Sequence, residues 1–317
     1  MLKNFVRTAF QKLDYWLCKK ILADLNERNQ IISILFHHLL PDTIRPDEVG
    51  IDPQQGTTIK DFSDCVSFFK ERGYVFLKAS EINADLPKEK KYVLLTFDDG
   101  YASNLNVIDI LDNLRVPAVF YISINHIMTQ KCFWWDVFYR EMRKEGKQVA
   151  EIKNEVLILK EKNTLSIETY LKKRFGTNCL MPISEYDRPF TKEELVYFSR
   201  HPRVEIGNHT FNHEILTNLS RDKILKEMSD CQMIIHDSIG YKPQSVSFPN
   251  GNYNPTIIQC AEQLKFLNAI TVDCHKSKIG SEFQPLTLGR YILWGGRSIA
   301  EQCLWMCEDG DLTMKRW

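Results

Sequence analysis

The chain has 317 residues, and Lys+Arg and Asp+Glu each number 41, so its formal net charge is zero. That balance lacks the basic excess that many phosphate contacts require, which argues against a nucleic-acid binder. Hydrophobic residues make up 44% and charged residues 26%, enough apolar material for a sizeable core and too much for a disordered chain.

Phe5, Phe10, Leu13, Leu17, Ile21 and Leu25 recur at helical spacing, so residues 4–26 read as an amphipathic helix. Its polar face carries Arg7, Lys12, Lys19 and Lys20, leaving two readings open: a helix packed on the domain, or one resting on an anionic membrane surface. The same charges interrupt any apolar run of signal-peptide length, and no window approaches a membrane span. Nine cysteines, an odd number without CxxC pairs, argue against a disulfide framework. The expectation is a cytoplasmic protein, with the inner membrane face as its one membrane contact.

Ile31 to Phe36 is a β-branched and apolar run that ends in His37-His38, as a buried strand would. Helical periodicity over 58–72 stops at Gly73, a short strand follows near Val75, and Tyr92 to Phe97 forms a second apolar strand running into Asp98-Asp99-Gly100. A helix over 103–114 then leads to a strand at 118–122. Residues 130–190 break this rhythm and read as a helical insertion. Alternation resumes with helices at 191–199, 220–239, from Asn254-Pro255 and at 298–307, and with strands near 204–207, 245–248, 267–272 and 290–293. Alternating strands and helices indicate a parallel sheet or barrel.

Chemistry-bearing residues gather at the carboxyl ends of strands, where α/β folds bind ligands. Asp98 and Asp99 could divide their work, one holding a metal and the other free as a base; a solvated Asp-Asp-Gly turn is the plain alternative. His209 and His213, four apart after the 204–207 strand, would lie on one helical face or wrap one turn, and either way could reach a single divalent ion. An isolated HxxxH pattern is frequently accidental. An aspartate plus two histidines, however, is a set of three protein ligands that leaves positions open for water and substrate. Ser247-Phe248-Pro249-Asn250-Gly251 is either a bare loop or a turn that aims a backbone N–H at a developing oxyanion.

Thr96-Phe97-Asp98-Asp99-Gly100 and His209-Thr210-Phe211-Asn212-His213 resemble the first two motifs of the polysaccharide deacetylases, carbohydrate esterase family four, whose module is the nodulation-factor deacetylase homology domain. Val116 to Phe120, Trp134-Trp135-Asp136 and Val204 to Asn208 carry the resemblance further, over roughly residues 30 to 295. It implies an α/β fold, a distorted (β/α)7-type barrel over 29–317, to which the residues themselves add the 130–190 insertion and an amino-terminal helix over 1–28. It also implies a divalent metal, zinc first and cobalt or nickel as alternatives, held by Asp99, His209 and His213, with Asp98 as general base.

The implied reaction removes an N-acetyl group from an amino sugar, here in an intracellular glycan precursor or lipid-linked sugar. A related amidase acting on another linear C–N bond and an inactive glycan-binding module are the other readings. The family's Leu-x-His acid is absent near the carboxyl end but present as Leu35-Phe36-His37. That implies a circularly permuted member with His37 as general acid and His38 as the fallback. Ser247 and Asn250 replace the arginine and tyrosine of the third motif. Asn250 keeps a backbone N–H for the oxyanion, and Arg290 becomes the candidate to steady Asp98, with a structural salt bridge as the alternative. Trp294 either lines the pocket or belongs to the core.

Overall fold

The computed structural model describes residues 27–52 and 56–307. The helix expected over 4–26 lies outside them. Eleven strands occur among the described residues, namely β1 (Gln30–Phe36), β2 (His38–Leu40), β3 (Gly56–Thr58), β4 (Val75–Leu77), β5 (Lys91–Phe97), β6 (Ala118–Ile122), β7 (Val204–Asn208), β8 (Ser245–Ser247), β9 (Asn268–Ile270), β10 (Ser277–Lys278) and β11 (Tyr291–Ile292). The helices are α1 (Ile59–Glu71), α2 (Ile108–Leu114), α3 (Ile124–Thr129), α4 (Trp134–Lys144), α5 (Val149–Leu159), α6 (Thr164–Phe175), α7 (Lys192–Ser199), α8 (Arg221–Ile239), α9 (Pro255–Gln263) and α10 (Ile299–Cys307). None of these is long and apolar enough to cross a membrane.

Local signals account for most boundaries. Thr58 caps α1 by accepting from Asp61 N, and Asp61 returns the bond to Thr58 N, a reciprocal capping box. Asn254 caps α9 with Pro255 at its first position, and Gly240 ends α8 in the left-handed region. Sequence periodicity does not foresee β2, β3 or β10, because two or three residues are too few to show a period.

Strands β1, β5, β6, β7, β8 and β9 pair in parallel in that order, and β11 pairs in parallel with the other edge of β1. The sheet curls until Leu288, just before β11, bridges Ile270 of β9. Seven parallel strands thus go round the distorted barrel that the family resemblance implies, and β4 adds an eighth beside β5.

Strand parity sorts the side chains. Ile32, Ile34, Phe36, Val93, Leu95, Phe97, Val204 and Ile206 face out, into one apolar cluster with Phe62 and Phe69 of α1 and Cys303 of α10. Ile31, Tyr92, Leu94, Val119, Tyr121, Ile270 and Leu288 pack together inside the barrel. Residues 130–190 contain α4, α5 and α6, which share a separate cluster built on Val137, Phe138, Met142, Leu159, Ile167 and Leu171. Buried Arg140 ties α4 to the chain that follows α6, bonding Asp187 at 2.6 Å and the Met181 carbonyl at 3.1 Å.

Gly207 lies on the inward face of β7, and a Cβ there would stand 2.3 Å from the Tyr121 ring. Overpacking of this kind costs about 1–3 kcal/mol. Gly207→Ala should lower the urea midpoint accordingly, and an unchanged midpoint would show that the barrel interior yields more than its packing suggests.

Candidate active site

The parity that fills the barrel also builds the site. Asp98 continues the inward series Tyr92, Leu94, Thr96; His37 continues Ile31, Ser33, Leu35; and His209 follows Glu205 and Gly207 of β7. Ser247 shares the inward face of β8 with Ser245, while Leu288, Arg290 and Ile292 form the inward face of the closing segment. Asp99 breaks the series with a φ of 79°, so both adjacent carboxylates serve the same side. One cavity of about 450 Å3 opens there, lined by His37, Asp98, Asp99, His209, His213, Asn250 and Arg290, a size within the usual range for small-molecule sites.

Asp98 is the best-held group. Arg290 grips it with two parallel hydrogen bonds, Nη1 to Oδ1 and Nη2 to Oδ2, both 2.8 Å, and Ser247 Oγ donates to Oδ2 at 3.1 Å. Arg290 is itself anchored to the Thr271 carbonyl at 3.0 Å and is 1% exposed. Burial alone would raise the Asp98 pKa, but the guanidinium, with His209 and His37 nearby, keeps the carboxyl below its ordinary range. Arg290 therefore does pair with Asp98. Ser247, at the position expected for an arginine, adds a hydroxyl to the same carboxylate.

Asp99 is buried, and neither of its oxygens has a hydrogen-bond partner. His209 Nε2 and His213 Nε2 stand 3.4 and 3.2 Å from Asp99 Oδ1, close enough for attraction but not aligned as donors. His209 Nδ1 faces the Ser247 carbonyl at 2.8 Å, which fixes the ring and turns Nε2 to the cavity. The two histidines do not share a helix: Thr210 and His213 have φ of 66° and 57°, so the segment wraps one turn, and Glu227 accepts from Asn212 N at 2.8 Å to hold it. One ligand atom from each of Asp99, His209 and His213 lies within 4.8 Å of the others. Two imidazole nitrogens and an orphaned buried carboxylate fit a divalent cation, since a buried charge without a partner is otherwise costly.

Burial depresses the His37 pKa against the pull of Asp99 and Asp98. His38 points the other way, fully buried, 3.6 Å from the Tyr101 ring and 3.3 Å from Ser103 Oγ, with its pKa pushed down to about 3 by burial. Asn250 sits at the cavity rim with a φ of 58°, and its Oδ1 accepts from Lys160 Nζ at 2.6 Å. Trp294 lines the same cavity.

From the sequence the Trp134-Trp135 insertion either walls the cleft or is held down by a buried tryptophan pair; in the structure both tryptophans line the cavity. Trp135 lies 4.5 Å from the His213 ring and donates to Tyr101 Oη at 3.0 Å, which in turn donates to buried Asp136 at 2.6 Å. Burial, with nearby Asp187 and Asp99, pushes the Asp136 carboxyl well above its ordinary range, against the Tyr101 bond. The adjacent Trp134-Trp135-Asp136 string was the available signal.

The family model described as polysaccharide deacetylase matches residues 85–154 and 158–269, more than half of the chain. The chain belongs to the polysaccharide deacetylase family. A stretch of 50 residues is 44% identical to the peptidoglycan-N-acetylmuramic acid deacetylase PdaC of Bacillus subtilis, covering 16% of this chain and 11% of that protein. Among solved structures, the Streptococcus pyogenes deacetylase PplD is similar with a TM-score of 0.61 at 19% identity, over 89% of this chain and 99% of that one. IcaB from Ammonifex degensii gives 0.57 at 14%, over 88% and 97%. At these identities the structural likeness concerns the fold.

Removing the Arg290 guanidinium would leave Asp98 buried without its main compensating charge, a loss that typically costs about 3–5 kcal/mol. Arg290→Met should reduce unfolding free energy by that order in urea titrations. Arg290→Lys should recover only part of it, because an ammonium cannot present the two-pronged donor; full recovery would show that only net charge matters.

Proposed function

We propose that this chain hydrolyses the N-acetyl group of an amino sugar, releasing acetate and the free amine. The observation that carries the reading is the convergence of Asp98 and His37 on the cavity that also holds Asp99, His209 and His213, in a member of this family. Asp99, His209 and His213 would hold a divalent cation, zinc by preference with cobalt or nickel as alternatives, and the ion would polarise the acetamide carbonyl and acidify a water.

The chain's own residues supply the proton transfers. Asp98, kept ionised by Arg290, takes the proton of the attacking water as the new C–O bond forms. His37, delivered by β1, gives a proton to the nitrogen as the C–N bond breaks, and the Asn250 backbone N–H faces the oxyanion. An acid carried on the first strand makes the chain a permuted member in this reading. The eight free cysteines among the described residues support a reducing compartment, and with it an intracellular precursor or lipid-linked sugar as substrate.

Two variants test the assignment separately. His37→Ala should lower kcat for acetate release by roughly 10²–10⁴-fold while bound metal, measured by mass spectrometry, stays at the wild-type level. Near-normal turnover would remove His37 from the role. In Asp99→Ala the metal content itself should fall, and a panel of formylated and other linear amides assayed beside acetylated amino sugars separates deacetylation from wider amidase activity.

A further inference from the structure

Helix α5 turns an unusual face to the cavity. Val149, Ile152, Lys153, Val156, Leu157 and Lys160 all line it, and their spacing of three, one, three, one and three residues is a single helical stripe. The stripe is apolar except for Lys153 and ends in Lys160. Across from it, Trp134 and Tyr139 of α4 and Ile167 of α6 continue the apolar wall. The wall extends to the surface at the α5–α6 corner, where Leu157, Ile158 and Leu165 are 63%, 61% and 73% exposed.

Positive charge is concentrated at the same corner. Lys153, Lys160 and Lys162 all line the cavity, and none forms an ion pair among the described residues. Lys160 alone has a fixed partner, the neutral Asn250 side chain at 2.6 Å, which puts its ammonium beside the third motif of the hydrolytic centre. Two acids share the wall. Glu214 accepts the Thr164 backbone N–H at 3.0 Å, and the Asp52 charge acts on Lys160. A mouth with an apolar track on one side and three lysines against two acids on the same wall is complementary to an amphiphile with an anionic head.

We infer that α5 and the α5–α6 corner bind a prenyl or acyl chain joined through phosphate to the sugar, with Lys160 on the phosphate and the 149–157 stripe along the chain. The inference rests on the deacetylase reading and narrows its substrate class to a lipid-phosphate-linked amino sugar. Lys160 and Leu157 act here as specificity-determining residues and take no part in bond breaking.

Binding can be measured apart from turnover. The full chain, supplied with a divalent metal, is titrated with farnesyl phosphate, farnesol and inorganic phosphate by calorimetry. Farnesyl phosphate should bind at least tenfold more tightly than either alone. Lys160→Ala should weaken farnesyl phosphate about tenfold and leave farnesol unaffected, whereas Leu157→Asp, at an exposed position that folding tolerates, should weaken both. Equal affinity for farnesol and farnesyl phosphate, no binding of either, or no effect of the two variants at wild-type thermal midpoints would overturn the inference. So would attachment to phosphatidylglycerol vesicles that farnesyl phosphate fails to displace, since the corner would then be a membrane-docking surface. Acetate release from a soluble N-acetylated hexosamine reports on the parent reading: release without farnesyl phosphate binding overturns the chain site alone, and binding with no release from any acetylated sugar overturns the deacetylase reading.

Discussion

The ion pair between Asp98 and Arg290 is the constraint around which the barrel mouth is arranged. Two adjacent carboxylates, Asp98 and Asp99, are 3% and 1% exposed, and taking each out of water costs several kcal/mol unless a compensating charge is held in good geometry. For Asp98 that charge comes from the far end of the chain. Arg290 lies in the short segment whose neighbours Leu288 and Tyr291 bond to β9 and β1, so closing the barrel and neutralising the carboxylate are one event. For Asp99 nothing in the protein completes its hydrogen bonding, and the two imidazoles facing it define where a cation belongs.

Two backbone devices divide the construction. Strand alternation sends Asp98, His209, Ser247, Arg290 and His37 to the barrel axis from five different strands or strand ends, which fixes their directions without special residues. The finer placement uses left-handed backbone. Of the eight non-glycine residues with positive φ among those described, Asp99, Thr210, His213 and Asn250 are at the site. Such conformations carry a cost of order 1–3 kcal/mol each and persist only where surrounding bonds over-determine them. Here the Glu227 bonds to the 211–213 turn and the Lys160 bond to Asn250 are among those restraints.

The helical insertion changes the character of this centre. Without α4 to α6 the Asp99, His209 and His213 cluster would sit in an open barrel mouth. With them His213 is walled by Trp135, Trp135 is tethered through Tyr101 to Asp136, and the cavity continues under an apolar helix face. The insertion keeps its own hydrophobic cluster, so it can vary without disturbing the strands that aim the reactive groups.

Much of this was legible in the chain before any coordinates. The long apolar strands, the capped helices and the strand-end motifs are local signals, because period, turn residues and adjacent side chains are read within a few positions. They determined the alternating fold and made Asp98, Asp99, His209 and His213 candidates, while the division of the two carboxylates between metal and base was implied by the family resemblance. The choice between His37 and His38 was latent in the same pattern, since Ser33 marks the inward side of β1 and His37 shares its parity. What only the tertiary structure decided are the relations between distant segments: Arg290 reaching Asp98 across 192 positions, Ser247 turning its hydroxyl to the same carboxylate, and α5 facing the cavity with an apolar stripe that sequence would assign to a core. Periodicity tells which side of an element is distinctive, but which other element meets that side depends on how the sheet curls and closes, and that is a property of the whole chain.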